Sequence, residues 1–212
     1  MNHASREEML AAFGPFRVVF EPMGDDTTPY LSLLHLHDAR SLVVVRAIRD
    51  ATTEPDSTAC VLTLLRDVNW RPHIVGSIAA YYASNLDAIN QMWAALDAGS
   101  WAAPQIAAIL SKCDPTFIDR ATSRLNEHCP LSNDAEYAIS SAIERHSAQG
   151  PAGSHHRSSK SAAAIYALIP ENLRKQLASN VELQKLIADD FDGSAEIATS
   201  WLEAFLELDA QI

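Results

Sequence analysis

The stretch Leu64-Leu65-Arg66-Asp67-Val68-Asn69-Trp70-Arg71-Pro72-His73-Ile74-Val75-Gly76-Ser77-Ile78-Ala79-Ala80-Tyr81-Tyr82 reads as the end of one helix, a tight turn and a second amphipathic helix. On the second helix Ile74, Val75, Ile78 and Tyr82 recur at helical spacing and form the apolar face. His73, Ser77 and Tyr81 fall on the opposite, open side. The same unit echoes on either side of itself. Leu34, Leu65 and Leu96 are spaced by 31 residues, as are Val44, Val75 and Ile106, and Ala47, Ile78 and Ile109. Trp70 falls on Trp101 at the same offset, and a fourth unit matches Ile139 to Ile106 and Ala142 to Ile109. Apolar positions recurring at a fixed period suit stacked helical hairpins, because a single hairpin has no partner surface on which to bury its own apolar face.

The elements around this unit are punctuated as helices. Expected helices cover 5–13, 30–37, 41–50, 57–67, 71–83, 86–98, 102–112, 115–128 and 133–147, then 159–169, 171–178, 181–190 and 194–209. Ser5 with Glu8 makes a capping box, and Gly14-Pro15 stops the first helix. Asp56-Ser57, Asn85, Ser100, Asp114 before Pro115, and Asn133 supply further caps. Phe16 to Phe20 is β-prone without a partner strand and reads as an extended segment packed on the first helices. Residues 147–160, rich in Gly and Ser and lacking acids, read as a flexible loop. The organisation is therefore an N-terminal segment 1–29, repeats over 30–147, a loop 148–160 and C-terminal helices over 161–212.

Asp67-x-x-Trp70-Arg71, followed by Val75, Ile78 and Ala79, resembles the HEAT-like repeats, particularly the short class found in phycobilisome-lyase-type proteins. The resemblance implies an all-α, right-handed α-solenoid of about four hairpins with a C-terminal helical cap. It also implies that Asp67 and Arg71 form hydrogen bonds within and between repeats at the turn. Only this unit keeps both residues: the first has Leu36 and Arg40 at the two positions, the third Ala98 and Ala102. An unrelated all-α bundle is the competing architecture. Trp70 and Trp101 are expected to pack onto neighbouring hairpins, and Arg71 to serve its turn.

Composition narrows the function. The chain has 212 residues, 48% hydrophobic and 20% charged, which suits an ordinary globular protein. Its seven glycines favour helix over strand and leave few tight loops for a substrate. A net charge of −11 argues against general nucleic-acid binding and suits a soluble protein, or one whose partner is basic. No run approaches the roughly 18 apolar residues of a membrane span, and Met1 to Gly14 does not read as a signal peptide, so a cytoplasmic protein is expected. Cys60, Cys113 and Cys129, odd in number and without a CxxC spacing, read as buried free thiols.

No catalytic motif stands out: there is no GxSxG elbow, phosphate loop or HExxH. His35-x-His37 and His155-His156 lack further ligands at a recognised spacing, and on a helix His35 and His37 would point in different directions. No metal or cofactor is expected. The sequence reading is a non-enzymatic protein-binding module with two candidate surfaces. One is a concave face carrying Arg46, His73, Ser77, Tyr81, Gln105 and Lys112. The other is the acidic C-terminal region, where residues 171–212 hold nine carboxylates against three cations, sharpest at Asp189, Asp190, Asp192 and Glu196. Small acidic HEAT-like proteins include immunity proteins that neutralise toxins or nucleases, which makes that the most concrete version. The alternatives are enzymes of the same architecture, a DNA glycosylase-like or a bilin lyase-like protein using the concave face.

Overall fold

A computed structural model describes residues 3–22, 28–127, 152–190 and 192–212, and among these the chain is helical without a strand. In order, the helices are α1 (His3–Ala12), α2 (Ala39–Ala51), α3 (Ser57–Arg66), α4 (Trp70–Ala83), α5 (Leu86–Asp97), α6 (Ala103–Cys113) and α7 (Phe117–Glu127). After the undescribed stretch come α8 (Ala152–Leu168), α9 (Glu171–Leu177), α10 (Val181–Ala188) and α11 (Ser194–Asp209). The expected helix over 133–147, with the Asn133 cap, Ile139 and Ala142, lies outside the described residues, as does Cys129. No helix among the described residues is long and apolar enough to cross a membrane.

Helix boundaries follow local chemistry. Asp38 accepts from the Ser41 amide at 2.7 Å and starts α2. Asn69, Asn85 and Asn180 do the same for α4, α5 and α10. Each side-chain oxygen takes up an amide that the first helical turn leaves unpaired. Asp56 makes no such bond: it sits in the left-handed region with φ +62°, and the neighbouring Ser57 hydroxyl donates back to the Thr52 carbonyl.

Helices α3 and α4 pair, as do α5 and α6; α3 lies against α5, and α4 lies between α2 and α6. The positions that repeat at 31 residues carry this packing. Leu65, Leu96, Val44, Val75, Ile106, Ile78 and Ile109 are all buried, while Leu34 is half-buried. Gly76 fixes how closely α3 and α4 approach: a Cβ there would sit 3.0 Å from the Leu64 Cβ and from the Leu65 side chain. The C-terminal helices complete the core. α8 and α11 pack on each other and on α6, and α10 packs on α8.

Three local expectations are corrected. Phe16 to Phe20 is not extended but mostly lies in a 3-10 helix, Gly14–Val19, with Phe16 and Val19 buried. Phe13, Phe16 and Val19 are three apart, which matches the three-residue turn of a 3-10 helix. Residues 30–37 likewise form a 3-10 helix, Pro29–Leu34, followed by Leu36 at φ +55°. The loop expected over 148–160 is helix α8 from Ala152 onward. Ser159 and Lys160, the last two residues of that stretch, are buried.

Candidate binding surfaces

The row expected on the open side of the repeats is largely covered. Residues 205–212 lie across α2 and α4. The Tyr81 and Tyr82 hydroxyls each donate to one carboxylate oxygen of Asp209 at 2.8 Å. The Tyr81 ring meets Phe205 edge-on, with centroids 5.2 Å apart. Arg46 and Arg49 donate to the main-chain oxygens of Gln211 and Ile212 at 2.9 and 2.7 Å. Further along α11, the indole of buried Trp201 donates to the Leu33 carbonyl at 2.8 Å. Burial and then the Asp209 carboxylate push the Tyr81 phenol up to about 12, and the same causes raise Tyr82. Both therefore stay neutral donors throughout the ordinary pH range.

Of the six residues assigned to the concave face, Arg46 and Lys112 are exposed and Tyr81 is half-buried. His73, Ser77 and Gln105 are instead buried, at 7%, 1% and 6% exposure, so their placement on an open side is corrected. The reason is enclosure. Helix α4 is surrounded by α2, α3, α5 and α6, and α6 by α4, α5, α7, α8 and α11. Gly76, Ser77, Ala79 and Ala80 are small enough to let neighbouring helices close in on the face opposite Ile74 and Ile78. That run of small residues was the available sign that both faces of α4 are packed.

His73 links two turns. Its ring nitrogens lie 2.7 Å from the Ser100 Oγ, before α6, and 2.7 Å from the Asp67 carbonyl, before α4. The carbonyl only accepts, so Nε2 carries the proton, and the Ser100 hydroxyl donates to Nδ1. Ser100 Oγ in turn accepts from the Ala102 amide. Burial lowers the His73 pKa, offset in part by its bond to the Asp67 carbonyl, so the imidazole is neutral. The resemblance implies hydrogen bonds of Asp67 and Arg71 within and between repeats. Within the turn, the Asp67 carboxylate accepts from the Asn69 amide at 2.7 Å, and the Arg71 guanidinium donates to the Asn69 side-chain oxygen at 3.3 Å and lies 5.0 Å from the Trp70 ring centroid.

The two equivalent tryptophans part company. Trp70 is half-buried against the core, whereas Trp101 is 60% exposed with the Lys160 ammonium 3.6 Å above its ring. Cys60 and Cys113 are free, half-buried thiols. Burial pushes Cys113 up to about 12, which removes its nucleophilic thiolate form at neutral pH. Among the described residues no group of three or more His, Cys, Asp or Glu is placed to hold a metal ion.

The acidic region divides by role. Asp190 accepts from the Ala195 amide at 3.1 Å and so anchors the start of α11. Asp192 pairs with the buried ammonium of Lys160. Asp189 and Glu196 are exposed, and Glu196 continues into Glu203 and Glu207, which are exposed as well. Spacings of seven and four put these three carboxylates on one face of α11. On the same helix Trp201, Phe205 and Leu208 are buried, while Ile197 is exposed. Among the described residues no cation pairs with the three, and α11 itself contains none.

No family model matches this chain, and neither a curated protein nor a solved structure matches it significantly.

Proposed function

We propose that the chain is a non-enzymatic protein-binding module built from HEAT-like hairpins in a short right-handed solenoid. In this reading a basic protein docks on the outer face of α11. The observation that carries it is the line of exposed carboxylates at Glu196, Glu203 and Glu207 with no described cation to neutralise them. A carboxylate face of this kind speeds capture of a cationic partner and weakens with salt. The solenoid reading draws support from the 31-residue recurrence and from the pairing of α3 with α5 and of α4 with both α2 and α6. An immunity-type protein that neutralises a basic toxin or nuclease is the most concrete form of this function. The enzyme alternatives need an open concave face, and residues 205–212 lie over part of it.

The test is an affinity capture from the source cell with the whole chain and with E196Q/E203Q/E207Q. These side chains are exposed, so the variant keeps the fold. The expected result is a single basic protein held at 1:1 by the natural chain, released by salt and lost from the variant. Capture that ignores the three substitutions, or no stoichiometric partner, overturns the reading.

A further inference from the structure

The turn between the 3-10 helix Pro29–Leu34 and α2 carries the sequence His35-Leu36-His37-Asp38. Were it helical, the two histidines would diverge. Leu36 instead adopts the left-handed conformation, φ +55°, which costs an L-residue about 1–2 kcal/mol. The turn is held in that state from both sides. The Leu36 side chain is buried in the core and its amide donates to the Ser32 carbonyl at 3.2 Å. On the other side, Asp38 caps α2, and the Ser41 hydroxyl bonds both Asp38 and the Ser32 carbonyl. The outcome is that both imidazoles stand exposed on one side of the turn, centroids 6.5 Å apart and planes 12° from parallel. Among the described residues neither ring has a hydrogen-bond or ion-pair partner.

We propose that His35 and His37 form a two-histidine site for one divalent transition-metal ion of the Ni²⁺, Cu²⁺ or Zn²⁺ class. Imidazole nitrogen is a ligand these ions favour, whereas Mg²⁺ and Ca²⁺ take oxygen. A nitrogen bound at about 2.1 Å places a ring centroid ~3.3 Å from the ion, so two rings on one ion stand at most ~6.5 Å apart. The observed separation equals that limit, but the near-parallel rings do not aim their in-plane lone pairs at one point, so both rings turn as well as close when they hold one ion. A tetrahedral ion brings the centroids to ~5.3 Å, so the rings close by about 1 Å. For exposed side chains this is ordinary rotamer motion. No third side chain among the described residues completes the set, so the remaining positions go to water. The site is a low-coordination, exchangeable one. It does not depend on the protein-binding reading.

Isothermal titration of the full chain with NiCl₂, ZnCl₂ and MgCl₂ tests it. One equivalent of Ni²⁺ and of Zn²⁺ should bind, and Mg²⁺ should give no saturable heat. H35N or H37N alone should weaken binding at least tenfold, and the double variant should abolish it. Paramagnetic Ni²⁺ added to the natural chain provides a readout without substitution, because it should broaden the ring signals of His35 and His37 first. Absence of saturable binding overturns the proposal. So does binding that the double variant retains, or broadening that begins at other histidines.

Discussion

Replacing His73 with Phe keeps a ring of comparable size in a buried position and removes both of its hydrogen bonds. The Asp67 carbonyl and the Ser100 hydroxyl each lose a partner at 2.7 Å in a site closed to solvent. An unsatisfied buried polar group costs about 1–3 kcal/mol, so H73F should destabilise the fold by about 3 kcal/mol. For a chain of this length that lowers the Tm by roughly 6–12 °C. The pH dependence gives a second readout. Burial depresses the folded-state pKa of His73 below its unfolded value near 6.5. Below that value the unfolded chain binds a proton that the folded chain refuses, so stability falls with pH until the folded pKa is reached. The contribution is complete above the unfolded pKa and is lost as pH drops toward the folded one. The maximal slope from this one group is about 1.4 kcal/mol per pH unit. Urea unfolding followed by circular dichroism between pH 7.5 and 5 should give a steeper loss for the natural chain than for H73F. The difference between the two chains isolates His73 from the other seven histidines. Equal stability at pH 7.5, or equal slopes in both chains, would refute the bridging role.

Gly76→Ala sets helix propensity against packing: the gain is about 1 kcal/mol, the clash with Leu64 and Leu65 about 1–3 kcal/mol, so a net loss is expected in chemical denaturation. Asp209→Ala leaves two phenols without their acceptor and should cost about 2–4 kcal/mol. It should also speed proteolytic cleavage after residue 200, measured as the rate at which the C-terminal fragment is released. Trp93→Phe loses the indole bond to Asp114 at 2.7 Å and weakens the stack under Arg124, 4.3 Å from the ring; thermal unfolding should show a loss of about 1–3 kcal/mol.

Most helix positions were legible in the sequence because their signals are local. Asn85 caps α5 where a polar side chain before an apolar run should. The 31-residue recurrence correctly selected buried positions on α4 and α6. What escaped was tertiary. Amphipathic spacing assumes one wet face, and α4 has almost none, so His73 and Ser77 were assigned to the surface. The glycine- and serine-rich run before Lys160 reads as a joint in the sequence because those residue types favour loops, yet from Ala152 onward it is helix. The separation of Trp70 from Trp101 is equally hidden: Trp101 meets Lys160, 59 residues downstream in the chain. At the acidic surface, charge counting found the region but not its division of labour. Asp190 and Asp192 answer to a helix start and to a lysine, which leaves the exposed stripe on α11.

The contacts that seat the last helix join residues more than 120 positions apart: Tyr81 and Tyr82 with Asp209, Arg46 with Gln211, Trp201 with Leu33. Such contacts place a delay in the life of the molecule. On a ribosome working at about 5–20 residues per second, the α2–α4 face is made roughly 6–25 seconds before the segment that covers it. During that interval Tyr81, Tyr82 and the apolar surface around them are bare. The nascent chain is most vulnerable to aggregation in this window, and a chaperone that recognises aromatic surface would find its target there.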